Sequence, residues 1–379
     1  MVSQLRVVAN DTDSGLSAFV VVDSLVEGRA MGGTRTTATV TLDEVAALAA
    51  RMTIKLAWAG IPIGGAKAGI VCDLPAGAER DRCFGDFGRA VAPLLRGGIY
   101  LGSDQGTSHR DRDVFFAAAG YDVAGEDVLA ALPCKWAQLW EHCEDVTGFG
   151  VCQAVLAAVE ATVGPGEGRV VVQGFGAVGR AVASRLAAKG YAIVGVADRS
   201  GTVSHPAGLP LPDLLAATDA LGNISRVNLP QNVACTRRPD AWLDLDADLL
   251  VLAAGGDAIH DGNVDRVRAR LVVEGGNLAV TPSAQCTLTR RGVPVLPDYI
   301  VNVGGAAVTG LLLTGLAPPC TVVHDLVEWL YDEIGHRIRR NVRTLLAHVD
   351  PQRPLGEVGL LMGGPVKAAG GNGGPAPRR

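Results

Sequence analysis

The chain has 379 residues, 48% of them hydrophobic and 19% charged, and carries a net charge of −5. That length exceeds one small core and predicts two domains, while the composition is globular and lacks the basic block that nucleic-acid binding needs. No apolar run reaches a bilayer span and the N-terminus lacks the apolar region of an export signal, so a cytoplasmic protein with no membrane partner is expected.

In chain order, residues 5–10 and 17–23 read as strands separated by Asp-Thr-Asp-Ser-Gly turn chemistry. Ala30-Met31-Gly32-Gly33-Thr34-Arg35 follows, its paired glycines suited to positive φ or a close backbone approach. Thr41 with Glu44 resembles a capping box ahead of a helix that runs to about Trp58, with Lys55 near its end. A Gly64-Gly65-Ala66-Lys67 loop and a strand over 68–72 come next. A helix over 79–95 leads to a strand from Ile99, whose end delivers Asp104 into a loop. An acid beside glycine at a strand end is often only a turn former. It becomes a catalytic candidate if it meets the lysines.

Those lysines carry information because the chain has 29 arginines and only five lysines. Two of the five, Lys55 and Lys67, share one apolar, glycine-punctuated segment. Lysine is a compact charge whose pKa falls readily on burial, which suits it to proton transfer. The plainer reading is a pair of amines snorkelling from the ends of a buried helix. Eight cysteines without CxxC spacing are expected to be reduced, and Cys134, His142 and Cys143 lack a fourth ligand, so no metal is expected.

Residues 120–146 read as linker, and a helical pattern resumes over 147–163. The β-branched run Arg169-Val-Val-Val-Gln173 then enters Gly174-Phe175-Gly176-Ala177-Val178-Gly179, and an alanine-rich helix leaves it. A second strand over 192–197 ends in Asp198, nineteen residues past Gly179. A strand, glycine turn, helix, strand and terminal acid in that order predict a dinucleotide site, with the pyrophosphate on the helix N-terminus. Asp198 would accept the ribose hydroxyls and repel a 2′-phosphate, which favours NAD over NADP. Arg199 beside it could instead pair with a phosphate. Further alternation follows: helices near 211–221, 262–269 and 282–291, and strands over 249–253, 271–274 and 294–296. Together they predict a doubly wound parallel sheet. A long helix over about 322–347 and a disordered, Gly/Pro-rich tail close the chain.

The ordered motifs resemble the Glu/Leu/Phe/Val amino-acid dehydrogenase family over roughly residues 5–310, with leucine and valine dehydrogenases nearest in the first half. The motifs are Gly32-Gly33-Thr34-Arg35, Met52-Thr-x-Lys55, Gly64-Gly65-Ala66-Lys67, Asp104-x-Gly-Thr107, Thr147-Gly-x-Gly150, Gln173-Gly-x-Gly-x-Val-Gly179, Glu274-Gly-x-Asn277 and Pro297-Asp-Tyr-x-x-Asn302-x-Gly-Gly305. The resemblance implies an α/β catalytic domain over 1–140 and a Rossmann NAD domain over 141–300. A helical segment over 301–350 would return to the first domain, ahead of the tail over 351–379. It implies that Lys55 holds the substrate carboxylate, that Lys67 is a base of depressed pKa, and that Asp104 shuttles a proton to and from the amino nitrogen. Thr147 and Asn277 would lie by the nicotinamide with Ala253 among the cofactor contacts, and Asn302 near the substrate. A homo-oligomer handling an amino acid, its 2-oxo acid and ammonia is implied as well.

Glutamate-using members resemble one another in carrying a lysine just before Gly32-Gly33, where this chain has Met31; an apolar side chain is therefore expected on the substrate. Gly102, Ala306 and Thr309 map to other pocket positions and are small, which predicts a wide pocket. Three departures stand out. Ala66 and Ala68 replace glycines and would crowd the base, Gln105 replaces an apolar residue, and Glu141–Asp145 adds three acids near the cofactor. They fit a specialised, biosynthetic member. Two alternatives stay open on sequence: a ketone or folate dehydrogenase of shikimate or methylene-folate type, and a non-catalytic NAD-binding relative.

Overall fold

The computed structural model describes residues 4–12, 15–122, 132–162 and 168–363. It divides into two compact units, Met1–His142 with Ala306–Leu330, and Cys143–Gly305 with Tyr331–Arg379.

The first unit is built on β1 (Leu5–Asp11), β2 (Leu16–Val22), β3 (Ala30–Thr37), α1 (Leu42–Ala59), β4 (Gly64–Val71), α2 (Ala78–Arg96), β5 (Ile99–Ser103), α3 (His109–Ala119) and α4 (Trp136–His142). Its five strands lie in the order β1-β2-β4-β3-β5, antiparallel through β1, β2 and β4 and parallel through β4, β3 and β5. The glycine run expected as a loop is strand β4. Gly65 and Gly69 face α1, where a Cβ would stand 2.2 Å from Thr53 N and 2.6 Å from Val45 Cγ2. A strand bare of side chains at those two positions lets α1 lie close against it, and this use of glycine mimics a loop signal. Thr41 caps α1 by accepting from Glu44 N at 3.2 Å. The Glu44 carboxylate, however, turns to Arg35 at 2.7 Å. Within the stretch expected as linker, Trp136–His142 forms α4; residues 123–131 lie outside the described ones.

The second unit comprises α5 (Val146–Thr162), β6 (Arg169–Gln173), α6 (Ala177–Ala187), β7 (Ala192–Asp198), β8 (Gly201–Ser204), α7 (Leu211–Ala216), β9 (Ala234–Thr236), β10 (Leu249–Leu252), β11 (Leu271–Glu274), α8 (Pro282–Arg290), β12 (Val295–Leu296) and α9 (Asp298–Val301). Its seven strands run β12-β11-β10-β6-β7-β8-β9, parallel from β12 to β7. The last two add an antiparallel edge that the sequence pattern does not announce. They are only four and three residues long, too short to carry an alternation. The helix expected over 262–269 reduces to one 3₁₀ turn, Val264–Arg266. Asn263 donates to Ala258 O and accepts from His260 N, holding a loop in which a helix would have to start.

After α9 come α10 (Gly304–Leu313), α11 (Val323–Leu346) and α12 (Leu355–Met362). From Ala306 to Leu330 the chain packs with the first unit: Arg29 donates to Leu313 O at 2.6 Å, and Gly310 lies against Ile61 and Met31. From Tyr331 onward it packs with the second, which corrects the expectation that all of 301–350 lies on the first. The reason is polar as well as apolar: Tyr331 donates to Asp145 and Arg339 to Gln153, while Gly335 meets the Phe149 ring. The tail expected from 351 is likewise helical over Leu355–Met362, pinned by Tyr299 Oη donating to Gly356 O at 2.8 Å. Residues 364–379 lie outside the described ones.

Candidate active site

The candidate functional residues form two groups, one within each unit. In the first, Lys67 sits mid-strand on β4 and Asp104 just past the end of β5, with β3 between them. Lys67 Nζ meets Asp104 Oδ2 at 2.8 Å, with the lysine side chain 6% and the aspartate 21% exposed. The contact exists because Gly33 on the intervening strand is bare. A Cβ there would stand 2.9 Å from Asp104 Cβ and 3.3 Å from Lys67 Nζ.

Arg35, two residues along the same face of β3, adds a contact from its Nε to Asp104 Oδ2 at 3.4 Å and is itself anchored by Glu44. Burial alone would raise the Asp104 carboxyl. The Lys67 ammonium and the Arg35 guanidinium overcome that and bring it down to about 2. Gly33, Arg35 and Glu44 are parts of this group that sequence reasoning did not single out. The Gly-Gly-Thr-Arg motif was the available signal, but only the strand register gives it meaning.

Lys55 is buried near the C-terminal end of α1. Met31 and Gly32 lie buried on β3, and Thr309 is buried on α10 beside partly buried Ala306. Met31 is 3% exposed, and a Cβ at Gly310 would stand 3.4 Å from its sulfur. Ala66 and Ala68 do not crowd the amine, because strand alternation points them to the face opposite Lys67. Nor does Gly102 leave open space: the Tyr100 ring lies over it, Cε1 3.0 Å from where a Cβ would be.

In the second unit, β6 enters the glycine turn and α6 leaves it. Gly174 has φ +91°, and Gly179 packs so close that a Cβ would stand 2.0 Å from Gly174 O. Around Gly176 a Cβ would meet nothing within 4 Å. No side chain caps α6, so its first N–H groups and dipole face that open space. Such a cradle fits the pyrophosphate of a dinucleotide. Phe175 is buried beneath it, Ala177 is exposed and Val178 partly so. Ala253, after β10, donates its N–H to Gln173 O at 2.6 Å. Asn302 donates to Gly275 O at 3.1 Å and to Asn277 Oδ1 at 3.0 Å, and Thr147 Oγ1 accepts from Gly305 N at 3.2 Å.

Asp198 departs from the expected open acid. Its side chain is 2% exposed, and it forms a two-toothed ion pair with Arg226. It also accepts from Ile224 N at 2.7 Å and Ser200 N at 2.8 Å. Burial opposes its charge, but Arg226 and those N–H groups hold the carboxyl below the usual carboxylate range. One of the three acids of 141–145 has a structural partner too, since Asp145 accepts from both Arg185 and Tyr331. Among the described residues no three His, Cys, Asp or Glu side chains gather as a metal set, and no helix is long and apolar enough to cross a membrane.

Comparison with known proteins identifies the family. A family model described as the Glu/Leu/Phe/Val dehydrogenase dimerisation domain matches residues 2–118, and one described as Glutamate/Leucine/Phenylalanine/Valine dehydrogenase matches 141–317. A glutamate dehydrogenase of Thermotoga maritima is 32% identical over 299 residues, covering 77% of this chain and 71% of its own. An NADP(+)-dependent glutamate dehydrogenase of Pyrobaculum calidifontis is 34% identical over 287 residues, covering 74% and 68%. Among solved structures, the hetero-hexameric glutamate dehydrogenase of Thermus thermophilus, in its leucine-bound form, superposes with a TM-score of 0.74 at 27% identity, covering 96% of this chain and 87% of that one. The L-tryptophan dehydrogenase of Nostoc punctiforme shares the fold, with a TM-score of 0.63 at 20% identity over 95% and 94% of the two chains. The ketone and folate readings fall away with these matches. Two models in order along most of its length place this chain in the Glu/Leu/Phe/Val dehydrogenase family of amino-acid oxidoreductases.

Proposed function

We propose that the protein catalyses the reversible oxidative deamination of an L-amino acid with an apolar side chain, with NAD as a cofactor. The observation that carries the chemistry is the buried Lys67–Asp104 contact of 2.8 Å, short enough to pass a proton between amine and carboxylate. A nicotinamide dinucleotide bound at the glycine turn supplies the acceptor for the Cα hydride. The chain's own side chains do the rest. Lys55 holds the substrate carboxylate by charge, and Lys67 moves the proton of the attacking or departing water. Asp104 serves the amino nitrogen and balances the positive charge that develops there. Asn277 and Thr147 hold the nicotinamide end, Asn302 lies near the substrate, and Asp198 stands at the strand end where the ribose would lie, paired with Arg226.

Met31 supports the apolar preference. It is buried against Gly310 and brings no cation to meet a distal carboxylate. The dimerisation-domain match and the edge strand β1, with Leu5 48% and Val8 50% exposed, support a homo-oligomer. Initial rates of NAD reduction on leucine, valine, phenylalanine, tryptophan and glutamate test the reading. Turnover of the apolar substrates is expected, and a clear preference for glutamate overturns it.

A further inference from the structure

We propose that Arg226 sets the choice of dinucleotide and opens the site to NADP as well as NAD. This rests on reading the glycine turn as the dinucleotide site. The acid at the end of β7 is the natural acceptor for a ribose diol, yet here its acceptor capacity is used. Oδ1 takes Ser200 N–H and one Arg226 N–H; Oδ2 takes Ile224 N–H and another from Arg226. Four donors fill the roughly four lone-pair sites of a carboxylate. A ribose diol must therefore share or displace the guanidinium.

A 2′-phosphate meets the opposite situation. The Asp198 charge that would repel it is neutralised by Arg226. Of the five guanidinium N–H groups that arginine carries, two are spent on Asp198 and one on Ile224 O. The others remain on a side chain that is 22% exposed. Arg199, the next residue after Asp198, is exposed and in no ion pair among the described residues. Arg226 thus cancels the acid and keeps two N–H groups for a group that carries about −1.5 to −2 at neutral pH. Arg226 reaches this place because the loop before it is tied down. Gly222 lies so near the glycine turn that a Cβ would stand 2.6 Å from Phe175 O, and Arg180 donates to Asp219 O at 2.7 Å.

The test is nucleotide binding, read from the fluorescence of NADH and NADPH titrated into the full chain without substrate. The wild type is expected to bind both, with dissociation constants within about tenfold of each other. Arg226→Ala frees Asp198 for the diol and removes a phosphate partner, so the NADPH-to-NADH ratio of Kd rises by roughly tenfold or more. Arg226→Gln, which keeps a polar side chain in the loop, should move the ratio the same way should the alanine variant not fold. Asp198→Asn with Arg226 intact should weaken NADH without weakening NADPH. Equal losses for both nucleotides in the Arg226 variants, or an unchanged ratio, overturn the proposal and leave Arg226 a structural brace. A wild type that binds neither nucleotide overturns the dinucleotide reading itself, and this proposal with it.

Discussion

Gly33 and Asp104 face each other across β3 and β5 so closely that a single methyl on the glycine would stand 2.9 Å from the aspartate Cβ. That gap is what lets the Lys67 amine reach the carboxylate. Gly33→Ala should leave both charged groups present but misplaced. A displacement of this kind far outweighs a methyl's bulk, because reacting groups out of line by about an ångström lose on the order of a hundredfold in rate. The expected outcome is a fall in kcat of that size with the apolar substrate's KM little changed. A variant as active as wild type would show that Lys67 and Asp104 do not need this spacing.

Lys67→Ala and Asp104→Asn separate the two proton carriers. Loss of a positioned base is expected to cost about a thousandfold in kcat. Asp104→Asn keeps the shape and the Lys67 amine but cannot exchange a proton, so its kcat should fall by a similar factor. NADH binding, measured in the absence of substrate, should survive in both. Either variant retaining more than a tenth of wild-type kcat removes that residue from the proton path.

The same carboxylate predicts an acid limit to stability. Asp104 is held at about 2, below the ordinary 3.8 of an unfolded chain. Its contribution is therefore fully present above pH 4 and drains away as pH falls from there toward 2, a difference of about 2 kcal/mol by linkage. Urea unfolding followed between pH 5 and 2 should show that slope in the wild type and a shallower one in Asp104→Asn. Parallel slopes would mean that other carboxylates carry the acid transition.

Much of this arrangement is legible in the sequence, and its illegible parts share a cause. Lys67, Asp104 and the glycine turn stand out because each breaks a local pattern: a rare lysine in an apolar run, an acid at a strand end, three glycines between strand and helix. Arg35, Glu44 and Gly33 do not, because their meaning lies in which strands are neighbours. Arg226 is invisible for the same reason, lying 28 residues beyond the acid it clasps. Ala66 and Ala68 mislead in the other direction. Adjacent to Lys67 in the chain, they point to the far side of the sheet. Short edge strands such as β8 and β9 fall below any periodicity, and α12 hides in a Gly- and Pro-flanked stretch that reads as tail.

Met31 offers a specificity switch. Met31→Lys brings an ammonium to the position where glutamate-using relatives of this family resemble one another, at a place lined by Gly310. Burying that charge will lower stability, but a distal carboxylate would pair with it. The ratio of kcat/KM for glutamate over leucine should rise by roughly tenfold or more. An unchanged ratio would place the side-chain pocket elsewhere.

The glycine turn distinguishes a residue needed for the fold from one needed for the ligand. At Gly179 a Cβ would collide with Gly174 O at 2.0 Å, so Gly179→Ala must deform the turn and should destabilise the fold as overpacking does, by about 1–3 kcal/mol or more, seen as a lower melting temperature. Gly176 differs. Its φ of −69° is ordinary for alanine, and nothing lies within 4 Å of where the methyl would go. The protein alone gives no reason for glycine there; a pyrophosphate lying against the backbone does. Gly176→Ala should melt like wild type while binding NADH roughly tenfold more weakly. If affinity is kept, the dinucleotide does not sit on this turn.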